Sequence, residues 1–186
     1  MIHVGNCGIG GRGVKCCLTG GRGFFTLALH ERGEIMFWKE RKLGEMSPEQ
    51  WESLCDGCAR CCLVKFEEED TGEILFTRAA CKLLELGTCR CSDYENRTSR
   101  VPDCVGLDAK NVGELHWLPT TCAYRLVAEG KDLPWWHPLV SGRAESVEEA
   151  GISVKGQIVS EEGLSEAELV AKIWKLPKAR RKNFPR

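Results

Sequence analysis

The sequence predicts a small, irregular α+β fold in which short helices and a β-hairpin surround a cysteine-rich metal centre. Three observations predict it. Eight of the twelve cysteines fall within residues 55–104, more than a cytosolic protein carries without binding metal. Their loops occupy the middle of the chain, which leaves room only for short elements. Two segments with strand composition flank a turn at residues 70–72, and short amphipathic segments lie on either side.

The chain has 186 residues, enough for one domain. Residues 1–35 hold nine of the twenty glycines and no sustained apolar period, so we expect a disordered Gly/Arg-rich extension. Ordinary composition begins at Met36, which is an alternative initiator if that extension is a misassigned start. We assign residues 36–164 to a cysteine-cluster metal-binding domain and residues 165–186 to a C-terminal amphipathic helix and basic tail.

Charge and hydropathy exclude several classes of partner. The 26 basic and 27 acidic residues give a net charge of −1, so no global field attracts nucleic acid or an anionic membrane. No apolar run approaches the roughly 20 residues of a membrane helix. We therefore expect a cytoplasmic protein with no membrane or nucleic-acid partner, and an unidentified protein or small molecule as its partner. In the cytoplasm, clustered cysteines stay reduced and bind metal.

The first well-defined helix lies just before the cysteines. Ser47-Pro48-Glu49-Gln50 is a capping box with proline at the first helical position, which predicts a helix from residue 48 to Leu54. Cys55 therefore follows a fixed element, and so does the metal loop that begins there.

A β-hairpin is predicted directly after the first cysteines. Residues 63–66 and 73–77 have strand composition, and Asp70-Thr71-Gly72 between them is typical of a turn. We interpret the acidic residues 67–70 as the solvated tip of this hairpin rather than as a cation site.

The rest of the chain predicts further short elements. Residues 79–86 have helical composition and end at Gly87, which places Cys81 in the first turn of a helix. Other predicted elements are helices from Asp108 toward Leu115, from Thr120 or Thr121 through Ala128, and from Ser165 through Trp174, an irregular segment at 133–138, and a short strand through Ile152, Val154 and Ile158. We expect the basic residues 172–186 to form a solvated tail.

The candidate metal ligands are the eight clustered cysteines: Cys55, Cys58, Cys61, Cys62, Cys81, Cys89, Cys91 and Cys104. Two-residue gaps in the first three let a tight loop turn successive sulfurs toward one centre, which suits tetrahedral zinc or a corner of an iron–sulfur cluster. The adjacent Cys61 and Cys62 leave the backbone in different directions, so Cys62 can serve a second centre. Eight thiolates satisfy either one larger centre or two four-coordinate sites.

The remaining cysteines and the histidines are weaker candidates. Cys122 completes a site if its helix packs on the cluster, but a lone helical cysteine is more often a small buried apolar residue. Cys7, Cys16 and Cys17, in the glycine-rich extension, are expected to have no role. We interpret His116 and His137, each close to tryptophan and proline, as packed histidines rather than ligands.

Two further features have alternative interpretations. Tyr94 and Arg97 either orient the cluster loop or simply pack and meet solvent. Trp135 and Trp136 either line a binding pocket or cover the core.

Six blocks of sequence stand out between residues 37 and 161: residues 47–58, Cys61-Cys62, Cys89-Arg90-Cys91-Ser92-Asp93-Tyr94, Val101-Pro102-Asp103-Cys104, residues 118–125 and residues 133–142. Together they resemble the bacterial YcgN-type cysteine-cluster family, a branch of the CxxCxxCC proteins described as zinc or iron chelators. The wider group includes flagellin lysine methylases and has an Arg-Pro pair shortly before the last cysteine. Here four residues separate Arg97 from Pro102, as in the YcgN-type branch. The resemblance implies a bound zinc or iron centre.

Three classes of function follow. The first is a metal-binding protein that holds a zinc or iron centre, iron–sulfur included, for redox, sensing or metal handling. The second is an enzyme related at group level to the flagellin lysine methylases, although no methyl-donor motif is visible. The third is a structural zinc module for protein or nucleic-acid binding, which would need a basic face, whereas Asp93, Glu95 and Asp103 lie near the cysteines. The cysteine count favours the first class.

Overall fold

A computed structural model describes residues 36–181 of the chain. Short helices and small sheets form an irregular α+β arrangement, which confirms the predicted fold class. The predictions for residues 1–35, including those for Cys7, Cys16 and Cys17, lie outside the described residues. Within residues 36–181, none of the helices has the length and apolar character needed to cross a membrane.

The helices of the described region span one or two turns each. They are α1 Phe37–Glu40, α2 Pro48–Ser53, α3 Arg97–Arg100, α4 Ala123–Ala128, α5 Pro138–Ser141, α6 Ser146–Glu149 and α7 Glu166–Val170, with 3₁₀ turns at Leu43–Glu45 and Arg60–Cys62. The predicted capping box of α2 is confirmed: the backbone N–H of Gln50 donates to Ser47 Oγ at 3.3 Å, and that of Ser47 to Gln50 Oε1 at 3.1 Å. Helices this short have little intrinsic stability and depend on such caps and on packing.

The predicted hairpin is also confirmed. Strand β1, Leu63–Glu67, pairs antiparallel with β2, Ile74–Ala80, and the register shifts once, between Leu63 and Lys65. Strand β5, Val159–Ser160, adds to the end of β2 in parallel. Strand β2 is therefore an interior strand where it approaches the cysteines, and its last two residues are fully buried.

The helix predicted over residues 79–86 is wrong. Ala79 and Ala80 instead complete β2, because they pair with β5, and the chain then turns into β3, Leu84–Glu85. Strand β3 pairs antiparallel with β4, Arg90–Cys91. Cys81 therefore follows a strand end rather than opening a helix. Tertiary pairing has overridden a composition rich in Ala, Leu and Glu.

Four other predicted elements differ from the structure. Residues 109–114 form turns instead of a helix, although Asp108 Oδ1 accepts from the backbone N–H groups of Lys110 and Asn111 in the manner of a cap. The helix predicted from Thr120 or Thr121 begins at Ala123 with Cys122 as its N-cap. No strand runs through residues 152–158, and the helix predicted through Trp174 ends at Val170.

The core consists of three neighbouring apolar clusters. The first contains Leu54, Val112, Leu118 and Tyr124, the second Leu63, Ala80, Val154 and Ile158, and the third Trp136, Val147, Ala150 and Ile152. The cysteine loop touches all of them. Cys58 belongs to the third cluster, Ala59 to the second, and Cys61 packs against the first. The loop therefore lies where the three clusters meet.

The segment after α7 runs back across the domain. The Arg78 N–H donates to the Lys172 carbonyl at 2.9 Å, the Trp174 N–H to that of Phe76 at 2.9 Å, and the Arg180 N–H to that of Ala150 at 2.8 Å. The expectation of a solvated tail is therefore wrong for residues 172–181. The basic composition of this segment suggested a solvated tail, but these contacts are backbone hydrogen bonds, which composition does not reveal.

Candidate metal centre

A single cleft of about 620 Å³ collects the cysteines of the described region. All nine line it: Cys55, Cys58, Cys61, Cys62, Cys81, Cys89, Cys91, Cys104 and Cys122. Every one is a free thiol. The structure thus brings together the eight candidate ligands proposed from the sequence and adds Cys122, which sequence alone favoured as a core residue.

The first wall of the cleft is the loop after α2. Its backbone turns sharply because Gly57 has a φ of +70° and Ala59 a φ of +60°. The left-handed conformation is free for glycine but costs a residue with a Cβ about 1 kcal/mol. These two turns place Cys55, Cys58 and Cys61 along one wall within seven residues.

A buried arginine holds this loop in place. The Arg60 guanidinium is 2% exposed and donates to three backbone carbonyls, Ile152 at 2.6 Å, Pro177 at 2.9 Å and Gly151 at 3.2 Å. The loop is thereby tied to two distant segments of the chain. Burial lowers the pKa of Arg60, while the neighbouring Cys58 and Asp56 act in the opposite direction. Sequence reasoning missed this residue, since an arginine inside a cysteine motif carries no pattern of its own.

The second wall comes from the ends of the strands. The Cys81 backbone N–H donates to the Cys62 carbonyl at 2.9 Å, so the two cysteines adjoin across the β1–β2 pair. Cys91 pairs with Leu84 across β3 and β4, which returns the chain to the same side. Cys104 follows α3 in a turn closed by its N–H to the Val101 carbonyl at 2.9 Å.

Burial and mutual proximity set the protonation of the thiols. Burial raises the pKa of Cys55 to about 12 and that of Cys122 to about 11, and the nearby Cys61 sulfur adds to both shifts. Burial likewise raises the pKa of Cys58, Cys81 and Cys104. In the absence of a cation these groups stay protonated at neutral pH, because several thiolates at close quarters would repel one another.

Cys61 and Cys62 form a distinct pair with sulfurs 3.9 Å apart. The hydrogen bond between the two sulfurs lowers the pKa of Cys61 and raises that of Cys62. A thiolate is the form of cysteine that binds metal, so Cys61 is the sulfur best prepared to do so.

Two charged residues that the sequence analysis overlooked flank the thiols. Lys65 Nζ donates to the Cys61 carbonyl at 3.1 Å and lies 4.6 Å from the centroid of the Trp117 ring. Asp56 Oδ1 accepts from the Cys58 N–H at 3.1 Å, whereas its buried Oδ2 has no partner in the structure. The available sequence signal for Lys65 was its position inside strand β1, where it lies between the half-buried residues Val64 and Phe66.

The histidines and aromatic residues have mostly structural contacts. His137 is buried, shares a 2.9 Å contact between Nε2 and the Leu54 carbonyl, and accepts from the Leu139 N–H through Nδ1. It is therefore a packed histidine, as expected. The same expectation is wrong for His116, which is exposed and lies 3.3 Å from Glu67. The hydroxyl of Tyr94 donates to Glu52 at 3.1 Å, and its ring faces the Arg97 guanidinium at 3.8 Å.

The donor set suits a soft metal, but the ligands are not closed around one point. Within residues 36–181, no three His, Cys, Asp or Glu side chains form a metal-binding group as they are placed. A cysteine thiol must lose its proton before its sulfur can bind a metal cation. Nine sulfurs in one cleft fit the thiolate preference of zinc and iron.

Comparisons with known proteins identify the chain's relatives. Residues 54–123 match the CxxCxxCC family model, described as "Putative zinc- or iron-chelating domain". The UPF0260 protein mll2411 of Mesorhizobium japonicum is 62% identical over 136 residues, which cover 73% of this chain and 92% of that protein. A UPF0260 protein of Parvibaculum lavamentivorans is 56% identical over 144 residues, 77% of this chain and 94% of its own length.

A third relative extends the agreement. The UPF0260 protein Atu0932 of Agrobacterium fabrum is 62% identical over 125 residues, 67% of this chain and 77% of that protein. No solved structure matches the chain. Since the chain covers nearly the whole length of the first two relatives at well over half identity, it belongs to the UPF0260 family of CxxCxxCC proteins.

Proposed function

We propose that this chain is a cytoplasmic metal-binding protein whose clustered cysteines hold zinc or iron as thiolate complexes, an iron–sulfur cluster included. The single observation that carries the proposal is the convergence of nine cysteines on one cleft. They come from segments up to 67 residues apart in sequence, between Cys55 and Cys122. Core packing alone does not require so many thiols along one cavity, whereas a soft metal does.

The state of the thiols supports the proposal. Raised pKa values at Cys55, Cys58 and Cys122 mean that the folded protein pays an electrostatic cost for ionising them without a counter-charge. A divalent cation or an iron–sulfur cluster supplies that charge and, when bound, cross-links the cysteine segments. A centre that contains iron also supplies redox chemistry. The free thiols of the described residues are also in keeping with the reducing cytoplasm.

Lys65 supports a negatively charged centre in particular. Burial lowers the pKa of Lys65, and the neighbouring Cys61, Cys62 and Cys81 sulfurs oppose this shift. Four thiolates around one divalent metal leave a net charge of about −2, so a nearby ammonium stabilises the complex. Lys65 thus has the position expected of a counter-ion.

The cleft is larger than one zinc complex needs. Zn–S bonds of about 2.3 Å enclose a sphere of roughly 50 Å³, far below the 620 Å³ of the cleft. The volume accommodates one metal ion or more than one. It also leaves space beside the centre for a small molecule or a segment of a protein partner.

The experiment is metal analysis after purification under nitrogen. We expect bound zinc with a colourless protein, or bound iron with a brown, oxygen-sensitive one, and a loss of metal in Cys61→Ser. The matched control is Cys16→Ser, which changes the same chemistry outside the described residues and should leave the metal content at the wild-type level. A folded wild-type protein without metal would overturn the proposal.

A further inference from the structure

Asp56 lies inside the cysteine motif, directly after Cys55 and two residues before Cys58. It lines the cleft together with the nine cysteines. The proposed function gives this carboxylate no role, although aspartate is itself a metal ligand in many zinc proteins. The contacts of its two oxygens show what it can do.

One oxygen of this carboxylate is held by the backbone of the loop. Oδ1 of Asp56 accepts from the Cys58 N–H at 3.1 Å, and Gly57 between the two residues turns the chain with its φ of +70°. Carboxylates that bind metals are themselves held in place by a hydrogen bond of this kind. The carboxylate therefore has a fixed orientation before any metal binds.

The other oxygen is buried without a partner. Oδ2 of Asp56 is shielded from solvent and takes part in no hydrogen bond. None of the ion pairs among residues 36–181 includes Asp56. A buried carboxylate oxygen without a donor or a cation is costly, so such groups in folded proteins are paired or bind a metal.

The basic side chains near Asp56 do not supply the missing partner. All three hydrogen bonds of the Arg60 guanidinium go to backbone carbonyls. Nδ1 of His137 accepts from the Leu139 N–H, so Nε2 carries the proton and donates to the Leu54 carbonyl at 2.9 Å. Oδ2 therefore stays available to a cation in the cleft.

The other acidic residues of the cleft differ from Asp56. Four more line it: Glu52, Glu67, Asp103 and Glu161. The first three are exposed, and Oε1 of Glu161 accepts from the backbone N–H of Lys82 at 2.9 Å. Among the acidic residues that line the cleft, Asp56 alone has a buried oxygen without a hydrogen-bond partner.

We propose that Asp56 is an oxygen ligand of the metal centre: Oδ2 binds the cation beside thiolates of the clustered cysteines, while Oδ1 keeps its hydrogen bond to the Cys58 N–H. The inference rests on the proposed function and adds a ligand that is not a cysteine. Zinc accepts such a mixed set, with Asp oxygens at about 2.0–2.2 Å and Cys sulfurs at about 2.3 Å. One carboxylate and three thiolates carry the same total charge as four thiolates, so Lys65 remains a suitable counter-ion.

The competing explanation is that Asp56 only shapes the turn. Its carboxylate would then serve as an acceptor for Cys58 and never contact the metal. Asparagine separates the two explanations, because it retains the Oδ1 acceptor and replaces Oδ2 with an uncharged NH₂ group that does not bind a cation. The matched control is Asp103→Asn, the same change at an exposed residue of the same cleft.

The first experiment uses zinc as the probe. The full chain is stripped with a chelator and reloaded with zinc under nitrogen, its fold is verified by circular dichroism, and its zinc affinity is measured against a competing chelator. We expect Asp56→Asn to weaken zinc binding at least about tenfold, since disturbing even a residue that only orients a ligand costs about 10–100-fold. Asp103→Asn should leave the affinity unchanged.

The second experiment is X-ray absorption at the zinc edge of the wild type, where we expect an oxygen shell at about 2.0–2.2 Å in addition to a sulfur shell at about 2.3 Å. A wild type that binds no zinc would refute the proposed function itself. Zinc bound by sulfur alone, or an affinity loss below about tenfold in Asp56→Asn, would leave the function standing and overturn the oxygen ligand. The wild-type spectrum needs no variant, so it still decides whether zinc has an oxygen ligand if Asp56→Asn fails to fold.

Discussion

Arg60 shows how a single residue fixes the cysteine loop. Its guanidinium has three carbonyl partners at 2.6–3.2 Å, and it lies between two candidate ligands, Cys58 and Cys61. Arginine suits this position because its planar fork presents several N–H donors in a fixed geometry. The residue therefore acts on the metal centre through the backbone.

The Arg60→Met substitution should lower the free energy of unfolding by about 3 kcal/mol, because buried carbonyls lose their donors. Chemical denaturation monitored by circular dichroism measures it. The matched control is Arg143→Met, since Arg143 pairs with Glu149 at the surface at 2.5 Å and its loss should cost less than about 1 kcal/mol. Equal effects of the two substitutions would show that Arg60 does not anchor the loop.

Residue roles were only partly predictable from sequence. The eight clustered cysteines were identifiable because short spacing alone brings several of them together. Cys122 was not, since 17 residues separate it from Cys104 and its position depends on how α4 packs. Asp56 and Lys65 were missed for the same reason: a lone charged residue has no spacing to interpret.

At the scale of elements, the loop between α2 and β1 depends on backbone conformation. A Cβ on Gly57 would meet the Arg90 guanidinium at 3.7 Å, an ordinary contact, so space is not what requires glycine there. The requirement comes from its φ of +70°. The tight turn between Cys55 and Cys58 therefore has a conformational basis.

The Gly57→Ala substitution should cost about 1 kcal/mol of stability, through left-handed strain alone. It should also weaken metal retention under dialysis against a chelator, because the strained loop displaces Cys55 from Cys58. Thermal denaturation and residual metal content measure the two effects. Gly113→Ala is the control: nothing lies within 4 Å of its Cβ and its φ is outside the left-handed range, so no loss of stability or metal is expected. Equal stability and equal metal retention in Gly57→Ala and Gly113→Ala would contradict this account of the loop.

Elements that depend on local sequence signals were predicted well, whereas elements that depend on pairing with distant residues were predicted poorly. Helix α2 and the β1–β2 hairpin follow from a capping box and a turn, whose contacts span only a few residues. The segment from residue 79 was assigned to a helix because its composition favours one, but the parallel partner of Ala79 and Ala80 lies 80 residues onward. Ile152 and Val154 alternate like a strand, but they are buried in an irregular segment, and periodicity alone does not distinguish the two.

At the scale of the whole molecule, the thiols couple stability to pH. The pKa of Cys55 is raised to about 12 and that of Cys122 to about 11, from an ordinary value of 9.0. A raised folded-state pKa contributes stability that is fully present below pH 9 and is lost as pH rises toward 12. Bound metal reverses the dependence, because protons then compete with it for the sulfurs.

The metal-free protein should therefore lose thermal stability as the pH rises above 9, whereas the zinc-loaded protein should lose it as the pH falls and zinc dissociates. Melting temperatures across pH, in chelator and in saturating zinc, measure both trends. Because other groups also titrate at high pH, the control is Cys55→Ser/Cys122→Ser, whose alkaline decline should be smaller. Parallel curves for the wild type and this variant would contradict the role of the two thiols.

Native mass spectrometry of the protein purified under nitrogen tests the central claim most directly. The account predicts a native mass that exceeds the denatured mass by the mass of bound zinc, iron or iron–sulfur clusters, with this excess reduced in Cys61→Ser. A folded protein whose native and denatured masses agree, with all its cysteines present as free thiols, would contradict it.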